Sequence, residues 1–198
     1  MSLKDKKVLF LGSSVTYGSA AGGESFADML EKEYGCRSVK EAVSGTTLVD
    51  TGADSYVARL TAMDASLGAD LFVCQLSTND ASQQKPLGRA DGRMDVSTVA
   101  GAIEFIIDYA RRTWGCPVAF YTNPRYDSES YAAMVALLKE CARKYGVGII
   151  NLWDDEGFNA LTDAQRARWL ADPIHPTREG YREWWLPVFA EEIEKMSR

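Results

Sequence analysis

Short apolar runs alternate along the chain with longer amphipathic stretches, and the two kinds of segment carry different periods. Lys7-Val8-Leu9-Phe10-Leu11 is continuous and closed by Gly12, as expected of a central strand covered on both faces. Leu71-Phe72-Val73-Cys74-Gln75-Leu76, Val118-Ala119-Phe120-Tyr121 and Val147-Gly148-Ile149-Ile150 have the same character, and Arg37-Ser38-Val39 gives a weaker strand near an edge. Between them helical spacing takes over. Ala102, Ile103, Ile106, Tyr109 and Ala110 recur on one helix face, as do Tyr131, Met134, Val135, Leu138, Cys141, Ala142 and Tyr145, with Gly146 as a stop. Thr162-Asp163-Ala164-Gln165 has the form of a capping box that starts a short helix before Leu170. A last helix begins near Thr177 and buries Tyr181, Trp184, Val188 and Phe189, with Pro187 kinking or restarting it.

Strands alternating with helices call for right-handed crossovers and a parallel sheet. The expected architecture is a three-layer α/β/α domain with five parallel strands in the order 2-1-3-4-5, one domain over residues 1–198. In such sheets ligands bind at the carboxyl ends of the strands, where the strand order reverses. Four loops therefore matter: Gly12-Ser13-Ser14-Val15-Thr16-Tyr17-Gly18, Val43-Ser44-Gly45-Thr46, Ser77-Thr78-Asn79-Asp80 and Asp172-Pro173-Ile174-His175-Pro176. The polar segment Gln83 to Asp95 has no periodic pattern and is either a flap over the site or a surface loop.

Composition narrows the choice of chemistry. With 28 acidic and 22 basic residues the 198-residue chain carries a formal charge of −6, which argues against a nucleic-acid partner. No apolar run approaches the ~20 residues of a membrane span, and no secretory leader is expected ahead of the first strand, which points to the cytoplasm. The four cysteines, Cys36, Cys74, Cys116 and Cys141, are widely spaced and read as small buried hydrophobes, so no metal site is expected.

A serine hydroxyl is a weak nucleophile and needs a base within hydrogen-bond reach. His175 is the only histidine, so it alone can serve near neutral pH without a large pKa shift. Asp172, three residues earlier beside a proline, is the candidate to orient it. The backbone N–H groups of Ser14 and Gly45 and the side-chain amide of Asn79 are candidate donors to a developing oxyanion. Asp80 is expected to tie down its own loop, and Tyr181, Trp184 and Trp185 to pack in the core.

Taken together, Gly12-Ser13-Ser14, Gly45, Asn79-Asp80 and Asp172-x-x-His175 resemble the four blocks of the SGNH hydrolases, also called GDSL esterases and lipases. The resemblance runs in order from Val8 to about Tyr181. It implies a flavodoxin-like sheet, Ser14 as nucleophile, Asp172 orienting His175, and an oxyanion hole of Ser14, Gly45 and Asn79. The frame of the motif and its spacing to Gly18 favour Ser14 over its neighbour Ser13. Two positions depart from the family pattern: Ser13 replaces the usual acid before the nucleophile, and Ser77 replaces a glycine two places before Asn79. Ser13, Ser77 and Arg125 are the further residues expected to meet substrate, Arg125 toward an anionic group and Ser77 by narrowing the pocket.

The expected function is hydrolysis of small carboxylic esters through an acyl-enzyme, with no cofactor and a small-molecule ester as partner. Thr16, Thr46, Thr47 and Ser77 give the site a small, polar lining suited to short acyl groups. The family analogy adds carbohydrate O-acetyl esters as substrate class, with thioesterase and lysophospholipase activity as alternatives. The alternative of another class is a flavodoxin-like binding protein with FMN phosphate in the Gly12 to Gly18 loop, which would leave Asp172 and His175 without a role.

Overall fold

The computed structural model describes residues 3–197. Its strands are β1 (Lys7–Gly12), β2 (Arg37–Ala42), β3 (Leu71–Gln75), β4 (Val118–Tyr121) and β5 (Gly148–Ile150), all parallel in the order β2-β1-β3-β4-β5. Helices α1 (Ser14–Tyr17), α2 (Phe26–Tyr34), α3 (Tyr56–Ala62), α4 (Thr78–Ser82), α5 (Val99–Trp114), α6 (Glu129–Tyr145), α7 (Glu156–Asn159), α8 (Asp163–Trp169) and α9 (Leu186–Met196) lie between and after the strands.

Side chains leave a strand on alternate faces, and β1 shows how this builds two cores. Leu9 and Leu11 join Phe72, Cys74, Val118 and Phe120 beneath α3, α5 and α6. Val8 and Phe10 join Leu71, Val73, Ala119 and Tyr121 beneath α2 and α9. The result is the expected α/β/α sandwich. Tyr181, Trp184 and Trp185 all belong to the second core, and all four cysteines are buried free thiols.

The departures have local causes. β2 runs three residues beyond the expected Val39 because its register with β1 continues from Lys7↔Arg37 to Gly12↔Ala42. Only pairing reveals that, since Lys40 and Glu41 carry no apolar signal. Helix α2 escaped the periodicity, yet Ser25-Phe26-Ala27-Asp28 caps it: Asp28 Oδ2 accepts from Ser25 N–H at 2.8 Å. The Thr162 box caps α8 as expected. Near Pro187 the chain first forms a π-helical stretch, Gly180–Trp185, and α9 starts at Leu186. Proline offers no N–H to an α-helical ladder, so widened pairing before it is the accommodation seen.

The 83–95 segment is fastened along α5 and α6. Gly92 N–H donates to both oxygens of Glu104 at 3.0 Å, and Lys144 Nζ reaches Ala90 O at 2.7 Å and Glu104 at 3.0 Å. Among the described residues no helix is long and apolar enough to cross a membrane.

Candidate active site

Strand β1 ends in a turn so tight that only glycine fits at its last position. A Cβ on Gly12 would stand 1.7 Å from Thr16 Oγ1. The turn delivers Ser14 to the first position of α1, where its N–H lies outside the helical ladder and has no partner among the described residues. Ser14 Oγ lies 2.8 Å from His175 Nε2. His175 Nδ1 lies 2.7 Å from Asp172 Oδ2. The other oxygen, Asp172 Oδ1, accepts the backbone N–H groups of Ile174 and His175, each at 2.8 Å. One carboxylate thus fixes both the ring and the loop that carries it. Burial pushes the Asp172 carboxyl upward, but the Ile174 N–H, the His175 ring and the His175 N–H outweigh it and hold the group below its ordinary range.

Gly45 sits at φ +83°, a conformation that favours glycine, and its exposed N–H has no partner among the described residues. Asn79, on α4, donates one Nδ2 hydrogen to Thr46 O at 2.8 Å, which leaves the second free. The chain therefore brings Ser14, His175 and Asp172 into one hydrogen-bonded relay, and leaves three N–H donors uncommitted on the loops beside it. Chemically, this can activate a hydroxyl and bind a negative oxygen.

Other expectations change. Ser13 and Ser77 are wholly buried, so neither side chain can meet a molecule in the cleft. Ser77 Oγ bonds Thr46 O at 3.2 Å and accepts Asn79 N–H at 3.1 Å, a tie between loops in place of a narrowed pocket. Thr16 and Thr47 are buried as well, which leaves only Thr46 of the expected polar lining partly exposed. Asp80 reaches beyond its own loop. Its two oxygens accept Leu48 N–H at 2.7 Å and Val49 N–H at 3.0 Å, so it secures the loop after β2. Arg125 is exposed in the loop after β4, where its backbone N–H donates to Asn159 at 2.7 Å.

Three positioning residues were missed. Gln75 is fully buried at the end of β3, and its Oε1 accepts Ser13 N–H at 2.9 Å, Thr16 N–H at 3.3 Å and Thr16 Oγ1–H at 2.8 Å. It holds the turn at Ser14 from below, in the loop where Ser13 departs from the family's acid. A polar residue inside an otherwise apolar strand was the available signal. Gln75→Leu is expected to leave the Ser13 and Thr16 N–H groups unpaired, at about 1–3 kcal/mol each. Urea unfolding should register a loss of at least ~2 kcal/mol. Arg59, buried on α3, donates to Gly12 O at 2.8 Å and to Thr46 Oγ1 at 2.9 Å, linking the loops after β1 and β2. Asn123 Nδ2 donates to Ile174 O at 3.1 Å and steadies the His175 loop.

The sequence pattern of the GDSL-like Lipase/Acylhydrolase family matches residues 10–183. A protein from Lactobacillus plantarum shares 24% identity at a TM-score of 0.76, over 97% of this chain and 96% of that one. A carbohydrate acetylesterase family member from Sinorhizobium meliloti shares 19% at 0.67, over 97% and 99%. A mutant of an acetyl-xylooligosaccharide esterase from Geobacillus Stearmophilus shares 18% at 0.68, over 98% and 96%. At these identities the likeness is one of fold. A search of curated proteins gives no match. Fold and family pattern define the class as a three-layer α/β/α hydrolase of the lipase and acylhydrolase kind. The chain belongs to the GDSL-like lipase/acylhydrolase family.

Proposed function

We propose that the protein hydrolyses short-chain carboxylic esters, O-acetyl esters of carbohydrates first among them, through an acyl-enzyme on Ser14. The observation that carries this reading is the relay from Ser14 Oγ to His175 Nε2 at 2.8 Å and from His175 Nδ1 to Asp172 Oδ2 at 2.7 Å.

Ser14 Oγ attacks the ester carbonyl carbon while its proton passes to His175 Nε2. The carbonyl oxygen becomes an oxyanion, met by the N–H groups of Ser14 and Gly45 and the free Nδ2 hydrogen of Asn79. Collapse breaks the bond to the alcohol oxygen, which takes the proton from His175. Water then repeats the sequence, with His175 as base, and releases the acid and Ser14.

Asn79 meets a charge that exists only as the reaction proceeds. Asn79→Ala is expected to lower kcat by about 10²–10³ with little change in KM. Steady-state kinetics on p-nitrophenyl acetate measures this, and a pure KM effect would reassign Asn79 to substrate binding.

The acyl side is an open, polar loop. Ser44 and Gly45 are exposed, and the space off the Gly45 α-carbon is empty to 4 Å. Burial of a methylene is worth about 0.8 kcal/mol, and such a surface buries few. Rates on p-nitrophenyl esters should therefore fall from acetate to palmitate, and acetylated sugars should be cleaved faster than acetyl-CoA. A maximum at long chains would make the protein a lipase, and preference for acetyl-CoA a thioesterase.

A further inference from the structure

The alcohol half of the ester must lie beside His175 Nε2, since that nitrogen returns the proton to the leaving oxygen. Gly45 and Asn79 come from the ends of β2 and β3 and occupy the other side. The alcohol therefore extends over the ends of β4 and β5, where the structure has space. Two adjoining cavities of about 580 and 560 Å³ share Arg125, Tyr126, Asp127, Arg166, Leu170 and Pro173 as walls. Asp172 borders one of them and Trp153 the other. Each lies within the ~300–1,000 Å³ usual for small-molecule sites.

The groove is built from fixed parts. The backbone N–H of Arg125 is held by Asn159, and its Nη2 by Trp153 O at 3.3 Å. The Tyr126 ring packs edge-on against Trp153, with centroids 5.6 Å apart, and at a tilt against Tyr131 at 5.2 Å. The polar rim is uncommitted. Among the described residues the side chains of Arg166, Asp127 and Asp163 have no ion-pair or hydrogen-bond partner.

We propose that this groove is the subsite for the alcohol portion of the substrate, and that the portion it takes is a neutral sugar of one or two rings. The inference rests on the ester-hydrolase reading above. A pyranose presents an apolar C–H face and a rim of vicinal hydroxyls. Tyr126, Leu170 and Pro173 match the face. A planar guanidinium spans two adjacent hydroxyls, and a carboxylate accepts from two others. The mixed signs select against a charged alcohol: Arg125 and Arg166 line the same groove as Asp127 and Asp163. A fatty chain would desolvate these four groups and leave Arg166, Asp127 and Asp163 without partners.

The test uses the full-length protein and its Arg166→Ala variant, a change on the exposed face of α8 that keeps a strong helix former. Acetylated xylobiose and p-nitrophenyl acetate are compared by kcat/KM. The ratio of the two is expected to fall at least tenfold in the variant, mainly through KM for the sugar ester. A second readout needs no catalysis. Unacetylated xylobiose should change the tryptophan fluorescence of the wild type in a saturable manner, with a weaker response in the variant. Sugar binding without ester hydrolysis would retain the subsite and overturn the enzymatic reading. Ester hydrolysis with no sugar response and an unchanged ratio would overturn the subsite and leave the esterase standing.

Discussion

Ser14→Ala is expected to lower the turnover of p-nitrophenyl acetate by about 10⁴–10⁶, the loss usual when a nucleophile of this kind is removed. Ser14 Oγ has His175 Nε2 as its hydrogen-bond partner, so its removal leaves the packing of the turn intact. Thermal unfolding of the variant should stay close to that of the wild type. Ser13→Ala is the informative neighbour. The Ser13 hydroxyl is buried, with a long 3.4 Å contact to Gln75 and no path to the cleft, so most activity should remain. An organophosphonate should label one serine per chain, and peptide mass spectrometry should place the adduct on Ser14. If the two alanine variants exchanged behaviour, the reacting hydroxyl would be Ser13 and the frame of the motif would be off by one.

The second large effect is expected at Asp172, where Asn substitution should lower kcat by about 10⁴. Size and backbone acceptor survive the change, since an amide oxygen can still take the Ile174 and His175 N–H groups. The group facing His175 Nδ1 becomes an N–H donor. Nδ1 must then accept, which forces the ring proton onto Nε2, the atom that has to receive the proton of Ser14. Because His175 is the only histidine, ¹⁵N NMR should show a single imidazole exchanging its protonated nitrogen between wild type and variant. Loss of activity without that exchange would give Asp172 a purely structural part.

The same carboxylate carries a pH dependence whose sign follows from its lowered folded-state pKa. Its contribution to stability is complete above the unfolded value of about 3.9 and disappears as the pH falls through the lower, folded one. The His175 loop should therefore stay fastened through mildly acid conditions and loosen only in strong acid, a pH dependence that the asparagine variant, with no carboxyl to titrate, lacks.

The local pattern was enough to determine the strands and their layers. A strand buried on both faces must be apolar along its length, so β1, β3 and β4 were legible almost to the residue. The scarcity of histidine did similar work: with one imidazole in the chain, spacing to Asp172 and the loop-end rule named the base and its partner, the family motif's frame added Ser14, and the structure brings those residues within hydrogen-bond distance. What the sequence could not decide were the partners of buried polar groups. Gln75 looked like one more residue of β3, Arg59 fell in a helix that periodicity did not show, and Asp80 was assigned to its own loop. Each instead binds atoms between 13 and 62 positions away. Ser13, Ser77 and Thr16 looked like a polar lining and turned out to be internal ties. Hydrophobic period is a property of neighbours along the chain, and it reports which face is buried. A buried hydrogen bond is satisfied by whatever group folding brings within about 3 Å, and that distance is set by tertiary structure alone.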